Sequence, residues 1–205
     1  MNSGLVVACA EVVLAREGEM EAAHPQTKEA LGGALYSERM ARLARASAAA
    51  RPGDFLEIGV LSGSTSVRLA AAARALGRRV VCVDNWTPGT DYHLEAVEAA
   101  FLQSIEPWRD VADVWKMDAH TDDARRMLRS REWAFAMSDD GHKFEHHQHE
   151  LESILPRCRA IVVVDDYYYA PEVPDAVADA LTRHTEWVPL RDARLREIWL
   201  VRKSG

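Results

Sequence analysis

The sequence predicts an α/β fold: a seven-stranded, mostly parallel sheet with helices on both faces and a C-terminal antiparallel hairpin. Three observations predict it. Five short apolar runs recur between residues 55 and 164, and segments with helical periodicity separate them. Each run ends in an acidic residue or runs into a glycine loop. Two further strand-like runs follow with only a short polar connection between them. Strands that alternate with helices call for a parallel sheet covered on both sides, and adjacent strands at the end call for a hairpin.

The elements follow in order. Leu5 to Met20 reads as a helix that His24-Pro25 interrupts, and Tyr36 to Ala50 reads as a second, ended by Arg51-Pro52-Gly53. Strand 1 is Phe55 to Ile58. Ser64 or Thr65 starts a helix with Val67, Leu69 and Leu76 on its apolar face, and Gly77 stops it. Val80 to Val83 is strand 2. Leu94, Val97, Phe101 and Ile105 recur at helical spacing over 91–105. Strand 3 covers Val111 to Met117, and Thr121 can cap the helix after it. Strand 4 is Trp133 to Met137, followed by a helix from Phe144 to Leu155. Strand 5 is Ile161 to Val164, with a helix from Pro171 to Leu181 after it. Thr185 to Leu190 and Leu195 to Val201 form the hairpin. Residues 1–50 read as a helical lid or dimerisation segment, and residues 51–205 as the single main domain.

Composition bounds the function. A chain of 205 residues with 48% hydrophobic and 28% charged residues can build a sizeable core without disulfides. Its three scattered cysteines form no paired motif and favour a reducing, cytoplasmic setting. A net charge of -7 argues against a nucleic-acid backbone as partner. Arg125, Arg126, Arg129 and Arg131 lie among acids and read as a solvated face. The N-terminal apolar stretch Leu5 to Ala15 contains Glu11 and is too short to span a bilayer.

The chemistry gathers at the strand ends. In an open α/β sheet the ligand sits beyond the carboxyl ends of the strands. Here those ends carry Glu57 and Gly59, Asp84, Asp118, Asp139 and Asp140, and Asp165 and Asp166. Carboxylates brought together repel one another and require a cation or a hydroxyl-rich ligand. Asp84, after strand 2, stands where a carboxylate accepts nucleoside ribose hydroxyls; a turn aspartate would look the same. Trp86 can cover a base or simply pack. Three hard oxygen ligands on neighbouring strand ends suit a magnesium-type ion.

The stretch Glu57-x-Gly59-x-x-x-Gly63 lacks the G-x-G-x-x-G spacing of dinucleotide sites. It resembles motif I of the class I S-adenosylmethionine-dependent methyltransferases, which are Rossmann-like. Two further stretches, Val83-Asp84-Asn85-Trp86 and Ser138-Asp139-Asp140-Gly141-His142-Lys143-Phe144-Glu145 with Asp165-Asp166, look like the metal-dependent small-molecule O-methyltransferases. The likeness is to the branch of sugar and macrolide O-methyltransferases and cephalosporin-hydroxylase-like proteins. It runs from about Asp54 to Asp166. It implies that Glu57, Gly59, Gly63 and Ser64, then Asp84, Asn85 and Trp86, then Asp118 and Ala119, and finally Asp139 line the S-adenosylmethionine site. Asp118 would meet the adenine amino group. The resemblance implies Mg2+ or another divalent ion at Asp139, Asp165 and Asp166.

One departure leaves alternatives. The order Asp139-Asp140-Gly141-His142 fits the branch's usual spacing only with a shift, so Asp140 can stand in for Asp139 as ligand. A base three residues later is then His142 from Asp139, or Lys143 from Asp140; the neutral-range titration of imidazole favours His142. His142, His146 and His149 are spaced to share a solvated helix face, and Tyr167-Tyr168-Tyr169 can wall an acceptor or pack. The expected activity is O-methyl transfer to a small-molecule hydroxyl of a phenol, sugar or polyketide natural product, with no nucleic acid or membrane partner. A scaffold of the same fold without turnover and an NAD-dependent dehydrogenase are the competing readings.

Overall fold

The computed structural model describes residues 28–86, 94–191 and 195–203. The helix expected over Leu5 to Met20 lies outside them. The elements are α1 (Lys28–Ala50), β1 (Asp54–Ile58), α2 (Ser64–Leu76), β2 (Val80–Asp84), α3 (Leu94–Ile105), a 3-10 turn (Glu106–Trp108), β3 (Ala112–Lys116), α4 (Asp122–Arg129), β4 (Trp133–Ser138), α5 (Phe144–Ile154), β5 (Cys158–Val164), α6 (Val173–Arg183), β6 (Trp187–Leu190) and β7 (Ile198–Arg202). The seven strands form one sheet in the order β3-β2-β1-β4-β5-β7-β6. Every pairing is parallel except those of β7, which runs antiparallel to both β5 and β6.

The sequence explains this order through burial. Along β1, β2, β4 and β5 nearly every side chain is buried, as central strands covered on both faces require. Alternate residues feed two cores. Phe55, Val80, Cys82, Phe135, Ile161 and Val163 meet Met40, Leu43, Leu69 and Phe101 of α1, α2 and α3. Leu56, Ile58, Val81, Ala136, Val162 and Val164 meet Leu128, Leu151, Ile154 and Val177 of α4, α5 and α6. β3 is only partly covered, in keeping with its place at the edge. Within the segment set apart in the sequence as a lid or dimer contact, α1 brings Met40, Ala41, Leu43 and Ala44 into the core, fully buried. Ser37 Oγ lies 3.1 Å from Thr65 Oγ1 and ties α1 to α2. Among the described residues no helix is long and apolar enough to cross a membrane.

Register aligns the carboxyl ends. Ile58 pairs with Val83 on one side and Ser138 on the other, and Ser138 pairs with Val164. The ladder continues one step past the strands: Gly59 N–H donates to Val83 O at 2.9 Å, Asp139 N–H to Ile58 O at 2.9 Å, and Asp165 N–H to Ser138 O at 3.0 Å. Gly59, Asp84, Asp139 and Asp165 therefore leave the sheet at one level. The chain reverses its winding between β1 and β4, and that is where an open sheet leaves a crevice.

Candidate active site

The glycine loop forms one wall of the crevice. Gly59 has φ +81°, and a Cβ there would stand 2.6 Å from the carbonyl carbon of Asp139. The bare backbone is what lets loop and β4 end approach. Gly63 opens α2 with φ +88°, and a Cβ there would meet Phe101 Cδ2 at 2.7 Å. Ser64, exposed, is the first residue of α2.

Asp84 grips this loop. Its Oδ2 accepts from Val60 N–H at 3.0 Å and Leu61 N–H at 3.1 Å, and its Oδ1 accepts from Trp86 N–H at 2.8 Å. Both oxygens thus hold backbone donors, and a ribose would share them. Asn85 is half-buried beside it. Trp86 packs rather than lying open: it is buried, its ring centroid is 5.1 Å from that of Phe101, and its Nε1–H donates to Leu61 O at 3.1 Å. Glu57 lies under the loop, 2% exposed, with Ser66 Oγ donating to its Oε2 at 2.5 Å. Burial pushes its carboxyl up to about 8. Asp118 Oδ1 accepts from His120 N–H at 2.8 Å and also faces His120 Nδ1 at 3.0 Å, while Ala119 is buried beneath.

The β4 and β5 ends differ in character. Ligand atoms of Asp139, Asp165 and Asp166 all lie within 4.8 Å of one another. Asp140 turns away, toward His120 and Glu150. Asp166 takes its place through a left-handed backbone, φ +51°. Burial, and the Asp165 carboxylate beside it, hold Asp139 well above the usual carboxylate range. Asp165 Oδ1 is buried, and no protein N–H or O–H reaches it unless Asp139 keeps a proton. The compensating charge is Arg196, with Nη2 2.8 Å from Asp165 Oδ2 and 2.6 Å from Asp166 Oδ1; the His142 ring stands beside it, with Nε2 3.2 Å from Asp166 Oδ2. Lys143 is exposed just before α5 and makes no ion pair among the described residues. A buried oxygen without a donor and three convergent hard oxygens are what a small divalent ion requires.

Several contributors lay outside the motif reading. Tyr36 of α1 is half-buried near the acids, and desolvation plus Asp165 and Asp139 raise its phenol well above the usual range. Arg39 pairs with the buried Glu197 at 2.8 Å, and Trp199 Nε1–H donates to Glu197 Oε1 at 3.3 Å. The three histidines expected on a solvated face do not share one. His142 precedes α5 and sides with Asp166; His146 stacks on His120 with centroids 4.0 Å apart; His149 Nδ1 meets Arg125 at 2.9 Å. The buried polar face of α5 instead carries His147 and Glu150. Ser138 Oγ donates to Glu150 Oε2 at 2.5 Å and meets His147 Nδ1 at 2.8 Å, and His120 Nε2 meets Glu150 Oε1 at 2.9 Å. Burial raises Glu150 to about 7 and lowers His147 to about 4. A signal existed: His147 and Glu150 share one helical stripe with Leu151 and Ile154. Of the tyrosines, Tyr167 packs into the core, while Tyr168 and Tyr169 are exposed.

Comparison with known proteins agrees with this geometry. The family described as Methyltransferase domain matches residues 56–167, more than half of the chain. No curated protein sequence matches. Among solved structures the chain is similar to CalS11, a TDP-rhamnose 3'-O-methyltransferase of calicheamicin biosynthesis, at 19% identity over 95% of this chain and 94% of that one, with a TM-score of 0.59. It is similar to the S-adenosylhomocysteine-bound methyltransferase PaMTH1 of Podospora anserina at 16% identity, covering 83% and 79%, with a TM-score of 0.61. A putative caffeoyl-CoA O-methyltransferase of Staphylococcus aureus gives 10% identity, 95% and 99% coverage, and a TM-score of 0.64. At such identities the likeness is one of fold; membership rests on the family match. With the strand order, the glycine loop and the acid-lined crevice already in place, the chain belongs to the methyltransferase-domain family and is a class I S-adenosylmethionine-dependent methyltransferase.

Proposed function

We propose that this methyltransferase transfers the methyl group to a hydroxyl oxygen of a small molecule, with a divalent ion of the magnesium type held by Asp139, Asp165 and Asp166. The observation that carries the reading is the trio of facing carboxylates, with Asp165 Oδ1 buried and lacking a donor. Such a set costs free energy without a cation. Asp139 is preferred to Asp140 because only Asp139 shares the pocket with Asp165 and Asp166. The acceptor class stays as wide as the sequence left it: a phenol or catechol, a sugar, or a polyketide hydroxyl of a natural product. CalS11 supports a sugar-like hydroxyl by analogy of fold.

The residues divide the work. The glycine loop and the α2 start seat the donor's amino-acid part, Glu57 and Asp84 present acid to its ammonium and ribose, and the β3 end borders its base. A divalent ion, when bound, acidifies and orients a hydroxyl next to it. His142, whose Nε2 lies 3.2 Å from Asp166 Oδ2, is the base in this reading, an imidazole standing beside the acid trio. The acceptor oxygen attacks the methyl carbon, the sulfur–methyl bond breaks, S-adenosylhomocysteine leaves, and His142 takes the hydroxyl proton. Tyr36 and Arg196 border the acceptor side. Alignment supplies most of the rate.

The test is S-adenosylhomocysteine release over a panel of catechol, phenol, sugar and polyketide acceptors, with and without EDTA. One class is expected to turn over, to stop with EDTA and to resume with Mg2+. Asp165→Ala is expected to lose about a hundredfold or more, and His142→Ala more activity than Lys143→Ala. Full activity in EDTA would refute the ion.

A further inference from the structure

We infer that Arg196 and the divalent ion are alternative counter-cations of one carboxylate set, so that the ion enters only as the Arg196 side chain leaves. This rests on the proposed ion reading for Asp139, Asp165 and Asp166. A single nitrogen, Arg196 Nη2, bridges Asp165 Oδ2 at 2.8 Å and Asp166 Oδ1 at 2.6 Å. These oxygens belong to the two carboxylates that complete the trio with Asp139. A guanidinium that close engages one oxygen of each carboxylate, and its charge repels a second positive centre at the remaining oxygens in a crevice of reduced dielectric.

The two sides of the contact differ in freedom. The Asp165 side chain is 2% exposed and its N–H is fixed in the ladder to Ser138 O. The Arg196 side chain is 45% exposed. Its own backbone is held, since Arg196 O accepts from Tyr168 N–H at 3.2 Å. Departure is therefore a side-chain rotation that leaves the start of β7 in place. In the same pose the guanidinium carbon is 5.8 Å from the centroid of the Tyr36 ring, a neighbour that does not tie the charge to a second acid. Arg39 also faces that ring, at 5.4 Å, but it is committed to the buried Glu197 at 2.8 Å and cannot take over from Arg196. Among the described residues Arg196 pairs with no second acid; its carboxylates are those of the pocket. Without an ion it neutralises the set. With one it is released.

The test is Mn2+ binding, followed by the spin-resonance signal of free Mn2+ and by calorimetry, in the cofactor-free protein. Wild type, Arg196→Ala and Asp165→Asn are compared. Arg196→Ala is expected to bind Mn2+ about tenfold more tightly than wild type, the range of two partly exposed ion pairs, and Asp165→Asn is expected to lose binding. In metal-free buffer Arg196→Ala should melt lower than wild type, and Mn2+ should raise its melting temperature by more. A second measurement uses wild type alone and does not depend on the variant folding. Modification by phenylglyoxal, mapped to the Arg196 peptide by mass spectrometry, should accelerate when Mn2+ is added. Equal or weaker Mn2+ affinity in Arg196→Ala, or an Arg196 reactivity that Mn2+ leaves unchanged or lowers, would overturn the inference while leaving the ion reading intact. No Mn2+ binding in wild type or Arg196→Ala would overturn both.

Discussion

The two halves of the crevice are lined by the same residue type and solve opposite problems with it. On the β1–β3 side each acid already has donors: Asp84 holds three backbone N–H groups, Asp118 holds His120, and Glu57 holds Ser66. On the β4–β5 side Asp139, Asp165 and Asp166 face one another, and what meets them is the half-exposed guanidinium of Arg196 and the exposed ring of His142. One half is finished by the fold, as a preorganised donor site should be. The other is held by one arginine, and it is there that the proposed ion would bind. The same carboxylate is a structural clamp where backbone N–H groups converge on it and a ligand where other carboxylates do.

The largest expected break in this division is Gly59→Ala, because Gly59 joins the halves. Its Cβ would press on the Asp139 carbonyl, and φ +81° is strained for any L side chain. A loss of about 3 kcal/mol or more of stability is expected from the clash and the strain together. Denaturant unfolding checks it, and a variant as stable as wild type would mean the halves are not locked at that contact. Asp84→Asn should do less and act on one side only. It weakens the clamp on the loop amides, so S-adenosylhomocysteine binding should fall by about tenfold. Mn2+ binding should stay within about twofold if the ion half is independent. Calorimetry of both ligands on one preparation decides, and a parallel loss of both would erase the distinction.

Much of this was legible in the sequence. The periodicities located the strands, and the acids marked the sheet edge, because a central strand buried on both faces leaves its polar chemistry to the residue that follows it. The parts that were not legible are those made by distant residues. Nothing in Tyr36 sets it apart from other aromatic residues on a helix, yet α1 delivers it to Asp165 and Asp139. Arg196 reads as one more charged residue of the second hairpin strand until β7 is laid antiparallel beside β5. Trp86 looked equally suited to a base or to packing, and the deciding partner, Phe101, lies across the chain segment that separates β2 from α3. The histidines were grouped by spacing on a helix, but α5 begins only at Phe144, which frees His142 to turn to Asp166. The spacing of motifs marked the strand ends, whereas pairing across the sheet decided which acid had a partner.

Glu57 sharpens the comparison most, because it has a donor in Ser66 yet burial still favours its neutral form. Burial raises it to about 8 against an ordinary value of 4.5. The folded protein therefore binds this proton more tightly than the unfolded chain does. Stability from the neutral carboxyl is full below about pH 4.5, declines as pH rises toward 8, and is flat beyond, a total of a few kcal/mol at most. Glu57→Gln keeps the shape and can still bond Ser66 Oγ, but it cannot ionise. It should melt above wild type near pH 8.5 and close to it near pH 5. In the seating proposed above, the cofactor's ammonium would draw the Glu57 carboxyl down and release the proton. Wild-type affinity for S-adenosylhomocysteine should then rise from pH 6 to 8 while the free protein loses stability, and in Glu57→Gln that rise should flatten. Melting curves and calorimetry across this range check both trends. A wild-type affinity that does not change with pH would mean Glu57 is a buried acid of the core alone, and the donor half would then be complete without any charge from its ligand.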